Sequence, residues 1–141
     1  MKGLQAPGAP RRVMIVDDVQ DITAMLSELV TLLGHHACVA NHGSRVVELA
    51  REFQPDLVFL DLGMPDVDGF EIARRLRAQP GGNVMELVAI SGWAHPTARE
   101  QAVAAGFDRH YLKPITLAHV IALLGLPPKS RTTCDESATL G

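Results

Sequence analysis

Five chemically reactive side chains stand where short apolar runs of the sequence end. They are Asp17 and Asp18 after residues 13–16, Asp61 after 57–60, Ser91 after 87–90, and Lys113 after 111–112. Runs of this length, bounded by polar residues and alternating with helical patterns, predict buried parallel strands. Because ligands bind at the carboxyl edge of an open α/β sheet, we expect these side chains to share one pocket. Three converging carboxylates repel one another unless a cation lies among them, so the pattern predicts a metal site.

Asp61 is the candidate nucleophile of this pocket. A carboxylate beside two others and a lysine can attack phosphorus and form an acyl phosphate. Mg²⁺ binds oxygen ligands in octahedral geometry and usually retains several waters, so a few protein oxygens suffice to hold it. We expect Asp18, Asp61 and the backbone oxygen of Gly63 to bind the metal, and Asp17 to hold a metal-bound water. Open coordination positions would then remain for a phosphoryl oxygen.

Lys113 and Ser91 are expected to complete the site. The transition state of phosphoryl transfer spreads negative charge over equatorial oxygens, which a metal, an ammonium group and a hydroxyl can stabilise. Each residue alone has an ordinary explanation, since an acidic pair after a strand often caps a turn, and a serine or lysine in a loop is often solvated. Their joint occurrence after four different apolar runs favours a site for phosphoryl transfer.

The composition and net charge of the chain exclude several classes of protein and of binding partner. A chain of 141 residues with 47% hydrophobic and 21% charged residues is typical of one globular domain. The net charge of −3 provides no basic surface for nucleic acid, and no apolar stretch approaches the roughly 20 residues of a membrane helix. The N-terminal residues lack the apolar core of a secretory signal, so we expect a cytoplasmic protein that binds neither nucleic acid nor membrane. Cys38 and Cys134 have no metal-binding spacing and are expected to be reduced.

The order of strand and helix patterns predicts one folded unit over residues 12–125. Residues 1–11, rich in proline and glycine, are expected to form a flexible lead, and residues 126–141 a disordered tail. Between them, five apolar strands alternate with five amphipathic helices. Right-handed crossovers then favour a doubly wound α/β fold with a five-stranded parallel sheet in the order 2-1-3-4-5.

Helical spacing of apolar residues marks the helices. The apolar side of the first helix comprises Ile22, Met25, Leu26, Leu29, Val30 and Leu33. Gly34 is expected to cap its C-terminal end, and Ser44 is expected to cap the second helix at its start. The helix at 96–105 offers the sheet mainly alanines, at positions 98, 102 and 105, so we expect it to be weakly anchored.

Four sequence motifs together resemble the receiver domain of two-component response regulators. They are Val-Asp-Asp at 16–18, Leu-Asp-Leu-Gly-Met-Pro-Asp-Val-Asp-Gly at 60–69, Ala-Ile-Ser-Gly at 89–92 and Leu-Lys-Pro at 112–114. The resemblance covers residues 12–125 and implies a flavodoxin-like (βα)5 fold. The roles that it implies are phosphoacceptor for Asp61, acidic pair at Mg²⁺ for Asp17 and Asp18, switch hydroxyl for Ser91 and phosphoryl contact for Lys113. It further implies a cis peptide bond between Lys113 and Pro114.

The chain departs from the family three residues before Lys113. Family members usually carry a rotating tyrosine or phenylalanine at that position, whereas this chain has His110. Tyr111 comes one residue later in the strand and is expected to face the other side of the sheet. We therefore expect His110 to serve as the rotating switch residue, and protonation of its imidazole to weaken that role at acid pH.

Two further positions are expected to modulate the lifetime of the phosphoryl group. Gly63 and Trp93 lie two residues past Asp61 and Ser91, where family members often carry polar side chains near the attacking water. Gly63 has no side chain to orient that water, and Trp93 could hinder its approach. We therefore expect slow self-dephosphorylation.

The resemblance also implies the partners. The details at 63–65 and 109–114 are most similar to receivers of hybrid histidine kinases, yet this chain carries no kinase or DNA-binding motif and is predicted to be a single-domain response regulator. It would take a phosphoryl group from a phosphohistidine on a sensor histidine kinase or a histidine phosphotransfer protein. As a monomer or weak dimer it would then signal by contact with a downstream protein target. It would not be a classical enzyme, since it would catalyse only its own phosphorylation and dephosphorylation.

Rival functions make different demands on the sequence. A phosphate sink in a phosphorelay uses the same chemistry. A haloacid dehalogenase-like phosphohydrolase places an aspartate two residues after its nucleophile, where this chain has Gly63. An interaction module that has lost phosphorylation would not need the carboxylates or Lys113. A dinucleotide-binding domain is excluded because no GxGxxG motif follows the first strand.

Overall fold

The computed structural model describes residues 10–92 and 97–125, in which strands and helices alternate. The strands are β1 Arg12–Val16, β2 His36–Ala40, β3 Leu57–Asp61, β4 Glu86–Ser91 and β5 Arg109–Leu112. The helices are α1 Gln20–Leu32, α2 Val46–Phe53, α3 Gly69–Ala78, α4 Ala98–Ala105 and α5 Leu117–Leu124. The expectations for Trp93, Cys134, residue 96 and the two chain ends at 1–9 and 126–141 lie outside the described residues. Within the described part of the chain, no helix is long and apolar enough to cross a membrane.

The five strands form one parallel sheet in the order β2-β1-β3-β4-β5, which confirms the predicted doubly wound topology. The register aligns the strand ends, because Val16 of β1 pairs with Leu60 of β3 and Asp61 pairs with Ile90 of β4. The direction of the connections reverses between β1 and β3, because β1 leads to β2 on one side and β3 leads to β4 on the other. Such a reversal opens a crevice at the carboxyl ends of the strands.

Two layers of apolar side chains, one on each face of the sheet, form the core. The layer beneath α2, α3 and α4 includes Met14, Val16, Ala50, Val58, Leu60, Ile72, Leu76 and Ala102. The layer beneath α1 and α5 includes Val13, Ile15, Leu26, Val30, Phe59, Val120 and Leu123. Because β1 and β3 supply alternate residues to both layers, they are buried on both faces and their carboxyl ends are held rigidly.

Helix α1 buries a narrower stripe than its apolar pattern predicts. Leu26, Val30 and Leu33 are buried against the sheet, whereas Ile22 is 36% exposed and Met25 is 43% exposed. Each of these two residues precedes a buried position by one residue, which rotates its side chain about 100° away from the contact line. Ile22 and Met25 therefore lie at the margin of the apolar side of α1 and outside the core. Gly34 follows the helix with φ 94°, as expected for a C-terminal cap.

Helix α2 does not begin with the predicted Ser44 cap. Ser44 lies within a single 3₁₀ turn, Gly43–Arg45, and the helix starts directly after it without a side-chain cap. The backbone N–H of Val46 already donates to the carbonyl of Gly43, so the preceding turn replaces the cap. For α4 the predicted inward face is confirmed, since its three buried residues are alanines at 98, 102 and 105.

Candidate functional site

Three carboxylates converge at the carboxyl edge of the sheet. Asp17 follows β1 and Asp61 ends β3, and both are buried, with 3% and 2% of their surface exposed. Asp18 is exposed at the mouth of the crevice. One oxygen of each carboxylate lies within 4.8 Å of an oxygen of the other two. The structure thus brings together the three acidic residues that the sequence singles out.

Lys113 reaches into the same crevice from the loop after β5. Its Nζ donates to Oδ2 of Asp61 at 3.0 Å and lies 3.9 Å from Oδ2 of Asp17. The backbone N–H of Lys113 donates to the carbonyl of Ser91 at 2.8 Å, which anchors this residue beside the end of β4. The Lys113–Pro114 peptide bond is cis, as the resemblance implies. Among the described residues, Lys113 therefore supplies the one ammonium group at a cluster of three carboxylates.

The surroundings of Asp17 disfavour its negative charge. Burial is the main cause that raises the pKa of this carboxyl, and the nearby charges of Asp61 and Asp18 raise it further. The N–H of Val19, which donates to Asp17 Oδ1 at 2.9 Å, and the ammonium of Lys113 oppose the rise. The raised pKa therefore reflects chiefly the burial of this carboxyl, with a smaller contribution from the two neighbouring carboxylates.

The donor set suits a hard divalent cation. Asp17, Asp18 and Asp61 all offer carboxylate oxygens, and oxygen donors are the ligands that Mg²⁺ prefers. Gly63 lies at the edge of the cluster, exposed, with its N–H donating to Asp61 Oδ1 at 2.8 Å. A Cβ added to Gly63 would lie 3.4 Å from that same oxygen. The ligand role of the Gly63 carbonyl stays a prediction.

Ser91 connects the crevice to His110. Ser91 ends β4 and is fully buried, and its Oγ lies 2.9 Å from Nε2 of His110 on β5. Burial, and after it the charge of Arg99, lowers the pKa of the His110 imidazole. His110 also lines a cavity of about 230 Å³ between α4 and β5, together with Arg99 and Val103 of α4. The one hydroxyl predicted to sense a phosphoryl group thus contacts the residue predicted to respond to it.

Tyr111 points to the opposite side of the sheet from His110. It packs against the apolar layer beneath α1 and α5, and its ring stacks on His119 with centroids 4.6 Å apart. This arrangement confirms that Tyr111 faces away from Ser91. Tyr111 therefore cannot fill the role of the usual aromatic residue without a rearrangement of β5.

Sequence reasoning missed two polar residues near the acidic pair. Asn41 directly follows β2, and its Nδ2 donates to the carbonyl of Asp17 at 2.9 Å and to Oγ1 of Thr23 at 3.0 Å. Thr23 is 2% exposed in the first turns of α1. The rule that found Asp61, a polar residue at the carboxyl end of a strand, applies equally to Asn41. It was overlooked because an amide is neither a preferred Mg²⁺ ligand nor a nucleophile.

Comparison with known proteins gives a consistent family. The family model of the response regulator receiver domain matches residues 13–124. The transcriptional regulatory protein PrrA of Mycobacterium tuberculosis is 31% identical over 134 residues, which cover 92% of this chain and 57% of that protein. An uncharacterized 14.6 kDa protein of Leptolyngbya boryana is 29% identical over 121 residues, covering 82% of this chain and 92% of the relative. The chain thus spans little more than half of the regulator PrrA.

Solved structures share the fold. The chemotaxis protein CheY4 of Vibrio cholerae superposes with a TM-score of 0.77 at 23% identity, covering 82% of this chain and 97% of its own. The receiver domain of the sensor histidine kinase PA1611 of Pseudomonas aeruginosa, solved with a magnesium ion coordinated in its active site cleft, gives a TM-score of 0.73 at 24% identity, covering 82% and 95%. Given the match over residues 13–124, this chain belongs to the response regulator receiver domain family.

Proposed function

We propose that this receiver domain accepts a phosphoryl group on Asp61 from a phosphohistidine donor and signals through the resulting change in its surface. The observation that carries the proposal is the position of Asp61. It lies buried at a strand end, within 4.8 Å of two other carboxylates and 3.0 Å from the ammonium of Lys113. Negative charge concentrated around a potential nucleophile raises the free energy of the folded state unless a cation balances it. Such an arrangement is typical of a site for a cation-assisted reaction.

Transfer of the phosphoryl group to Asp61 makes one bond to phosphorus and breaks another. One carboxylate oxygen forms a bond to phosphorus, and the phosphorus–nitrogen bond of the donor phosphohistidine breaks. The electron pair of that bond returns to the donor imidazole, which takes up a proton. The product on this chain is an acyl phosphate on Asp61. Its hydrolysis by water restores the carboxylate and releases phosphate.

The remaining residues of the site stabilise charge during this transfer. Lys113 Nζ lies 3.0 Å from Asp61 and can donate to a phosphoryl oxygen as negative charge moves to that oxygen during transfer. Ser91 can donate its hydroxyl to another phosphoryl oxygen. Mg²⁺ held by Asp18, Asp61 and the Gly63 carbonyl, with Asp17 holding a metal-bound water, would supply the positive charge that brings an anionic donor into this acidic crevice.

The direct test is phosphorylation of the purified protein. Incubation with acetyl phosphate and Mg²⁺, or with a phosphorylated histidine phosphotransfer protein, is expected to add one phosphoryl group, which intact-mass spectrometry detects. Hydroxylamine, which cleaves acyl phosphates, is expected to remove it. A wild-type protein that takes up no phosphoryl group from either donor, and binds no beryllofluoride in the presence of Mg²⁺, would instead support an interaction module that has lost this chemistry.

The pathway around this reaction also remains a proposal. We assign the donor to a sensor histidine kinase or a histidine phosphotransfer protein in the cytoplasm, and the output to a downstream protein contacted by a monomer or weak dimer. A phosphate sink would share the reaction and lack the downstream target. A phosphohydrolase of the haloacid dehalogenase type is disfavoured, because Gly63 cannot supply the acid and base that its second aspartate provides.

His110 is proposed as the switch residue, and its role is expected to depend on pH. A phosphoryl group on Asp61 would draw the Ser91 hydroxyl towards it by a charge-assisted hydrogen bond and break the 2.9 Å contact with His110. The free imidazole would then turn towards α4. Burial holds the pKa of His110 below its usual range, so the ring is neutral at about pH 8 and gains a charge as the pH falls through that lowered pKa. A charged ring loses hydration in the cavity between α4 and β5 and is repelled there by Arg99, so coupling weakens at acid pH.

NMR spectra of the free and beryllofluoride-bound protein test this role. At about pH 8 the wild type is expected to shift signals of residues 97–112 on activation, and at about pH 5 to shift them less. His110→Phe should remove the pH dependence, since phenylalanine does not titrate. His36→Phe, a substitution of an exposed histidine on the opposite edge strand β2, is the control and should behave as wild type. An unchanged His110 environment in both states would refute the role.

We propose that Gly63 lengthens the lifetime of the phosphoryl group on Asp61. Its N–H contacts Asp61 Oδ1 at 2.8 Å, but it offers no side chain to orient the attacking water. Gly63→Asn is expected to speed decay of the acyl phosphate by about tenfold, the effect of one hydrogen bond of about 1.4 kcal/mol that orients the attacking water. Decay followed by loss of phosphorylated protein over time measures this. A slower decay in Gly63→Asn would contradict the proposal.

A further inference from the structure

The side-chain amide of Asn41 links three segments at the edge of the acidic cluster. Its nitrogen donates one hydrogen to the carbonyl of Asp17, 2.9 Å away, and the other to Oγ1 of Thr23, 3.0 Å away. A backbone carbonyl only accepts hydrogen bonds, so the amide nitrogen must face Asp17. The Thr23 hydroxyl in turn donates to the carbonyl of Gln20 at 3.0 Å. One side chain thus joins the end of β2 to the β1–α1 loop and to the first turns of α1.

These bonds fix the peptide that connects the two acidic residues. The carbonyl of Asp17 belongs to the peptide group whose nitrogen is that of Asp18, so holding the carbonyl sets the plane of that peptide and the direction of the Asp18 Cα. The backbone N–H of Asp17 donates to the carbonyl of Ala40, the residue before Asn41, at 3.2 Å. The end of β2 therefore holds Asp17 at both its N–H and its C=O.

The same turn also restrains the loop that follows Asp61. The N–H of Gly43 donates to Oδ2 of Asp66 in the β3–α3 loop at 3.1 Å. A Cβ at Gly43 would lie 2.0 Å from a methyl group of Val67, so only glycine allows this approach. The turn at 41–43 consequently contacts both loops that carry the candidate metal ligands.

Restraint matters here because the ligands repel one another. Three carboxylates lie within 4.8 Å, and the β1–α1 loop would relax away from Asp61 if nothing held its backbone. Holding the loop before the cation arrives lowers the free energy that binding must spend on ordering the ligands.

We infer that Asn41 is a positioning residue for the divalent cation, acting through the carbonyl of Asp17 and supported by Thr23. It touches neither the cation nor the phosphoryl group. The inference rests on the proposed function for the identity of the cation as Mg²⁺. Loss of the amide should weaken Mg²⁺ binding without removing any ligand.

Calorimetric titration with MgCl₂ tests the inference. Asn41→Leu keeps the approximate shape of the side chain and removes both donors, so its affinity for Mg²⁺ is expected to fall about tenfold, the lower limit for residues that orient metal ligands. Thr23→Val is expected to weaken binding as well, and Thr23→Ser, which keeps the hydroxyl, to restore it. Asn83→Ala, a substitution in the exposed α3–β4 loop, is the matched control and should bind as wild type.

A second readout separates positioning from general destabilisation. In metal-free protein, hydrogen exchange of the Val19 amide, which bonds to Asp17 Oδ1, is expected to quicken in Asn41→Leu, while core amides of β3 stay protected. Wild-type Mg²⁺ affinity in Asn41→Leu would overturn the inference. An equal loss of Mg²⁺ affinity in Asn83→Ala would also overturn the inference. If Asn41→Leu does not fold, equal affinities of Thr23→Val and Thr23→Ser would overturn it. A wild type that binds no Mg²⁺ would instead refute the metal in the proposed function.

Discussion

Asp61→Asn is expected to accept no phosphoryl group under conditions in which the wild type gains one. Asparagine has nearly the shape of aspartate, and its oxygen can still accept the Gly63 N–H that lies 2.8 Å from Asp61 Oδ1. Its amide nitrogen is not a nucleophile towards phosphorus, and it places a donor against the ammonium of Lys113, which is 3.0 Å from Asp61 Oδ2. The variant therefore loses both the attacking group and the partner of Lys113.

Three companion measurements make this experiment decisive. Asp61→Ala is assayed in parallel, because an asparagine can slowly deamidate to aspartate and restore activity. Asp68→Asn, at the exposed carboxylate that caps α3, is the control and should be phosphorylated normally, since the asparagine oxygen can still accept the Phe70 N–H. Thermal unfolding by circular dichroism establishes that each variant is folded. Phosphoryl label that persists in both Asp61 variants would place the acceptor elsewhere.

The sheet and the acidic cluster could be predicted because both depend on short-range patterns. The apolar runs at 13–16 and 57–60 can be buried on both faces only in a sheet covered by helices, and the topology follows from right-handed crossovers. Once strands are parallel, the residues after them must meet at one edge. Asp17, Asp61 and Lys113 were therefore found by position and charge alone.

Contacts between strands and helices could not be predicted from such short-range sequence patterns. The hydrogen bond between Ser91 and His110 depends on the register of β4 with β5, where Ala89 pairs with His110, and no local pattern sets that register. Ile22 and Met25 have the spacing of a buried face, yet their exposure depends on how α1 is rotated on the sheet. Asn41 lies at the carboxyl end of a strand, as Asp61 does, but its contact with the carbonyl of Asp17 depends on how β2 lies beside β1. Each of these features depends on how the strands and helices pack together, which the periodicity of the sequence does not determine.

Removal of Mg²⁺ is expected to abolish phosphoryl transfer as completely as loss of Asp61. When all three carboxylates are ionised, the ammonium of Lys113 leaves two negative charges around the nucleophile unbalanced by any other ammonium group within residues 10–92 and 97–125. A phosphorylated donor is itself an anion, so it meets a repulsive crevice unless a divalent cation balances that charge. Lys113 cannot do so alone, because its one charge already pairs with Asp61.

Chelation and replacement of the metal test this expectation. Excess EDTA should stop transfer from acetyl phosphate, and excess MgCl₂ should restore it, whereas NaCl at matched ionic strength should not, since screening does not place a charge among the ligands. Ca²⁺ is expected to support transfer poorly because it requires longer bonds and more ligands than Mg²⁺. Undiminished transfer in excess chelator would contradict the metal requirement.

Binding of Mg²⁺ should also be visible without any phosphoryl donor. A ligand that binds only the folded state at about 100 times its dissociation constant raises the free energy of unfolding by about 2.7 kcal/mol. The wild type should gain this stability from Mg²⁺, and Asp18→Asn, which removes one charged ligand of the cluster, should gain much less. Asp68→Asn, at the exposed carboxylate that caps α3, should gain as much as wild type, since the asparagine oxygen can still accept the Phe70 N–H. Equal stabilisation of wild type and Asp18→Asn would show that the cation binds outside the acidic cluster.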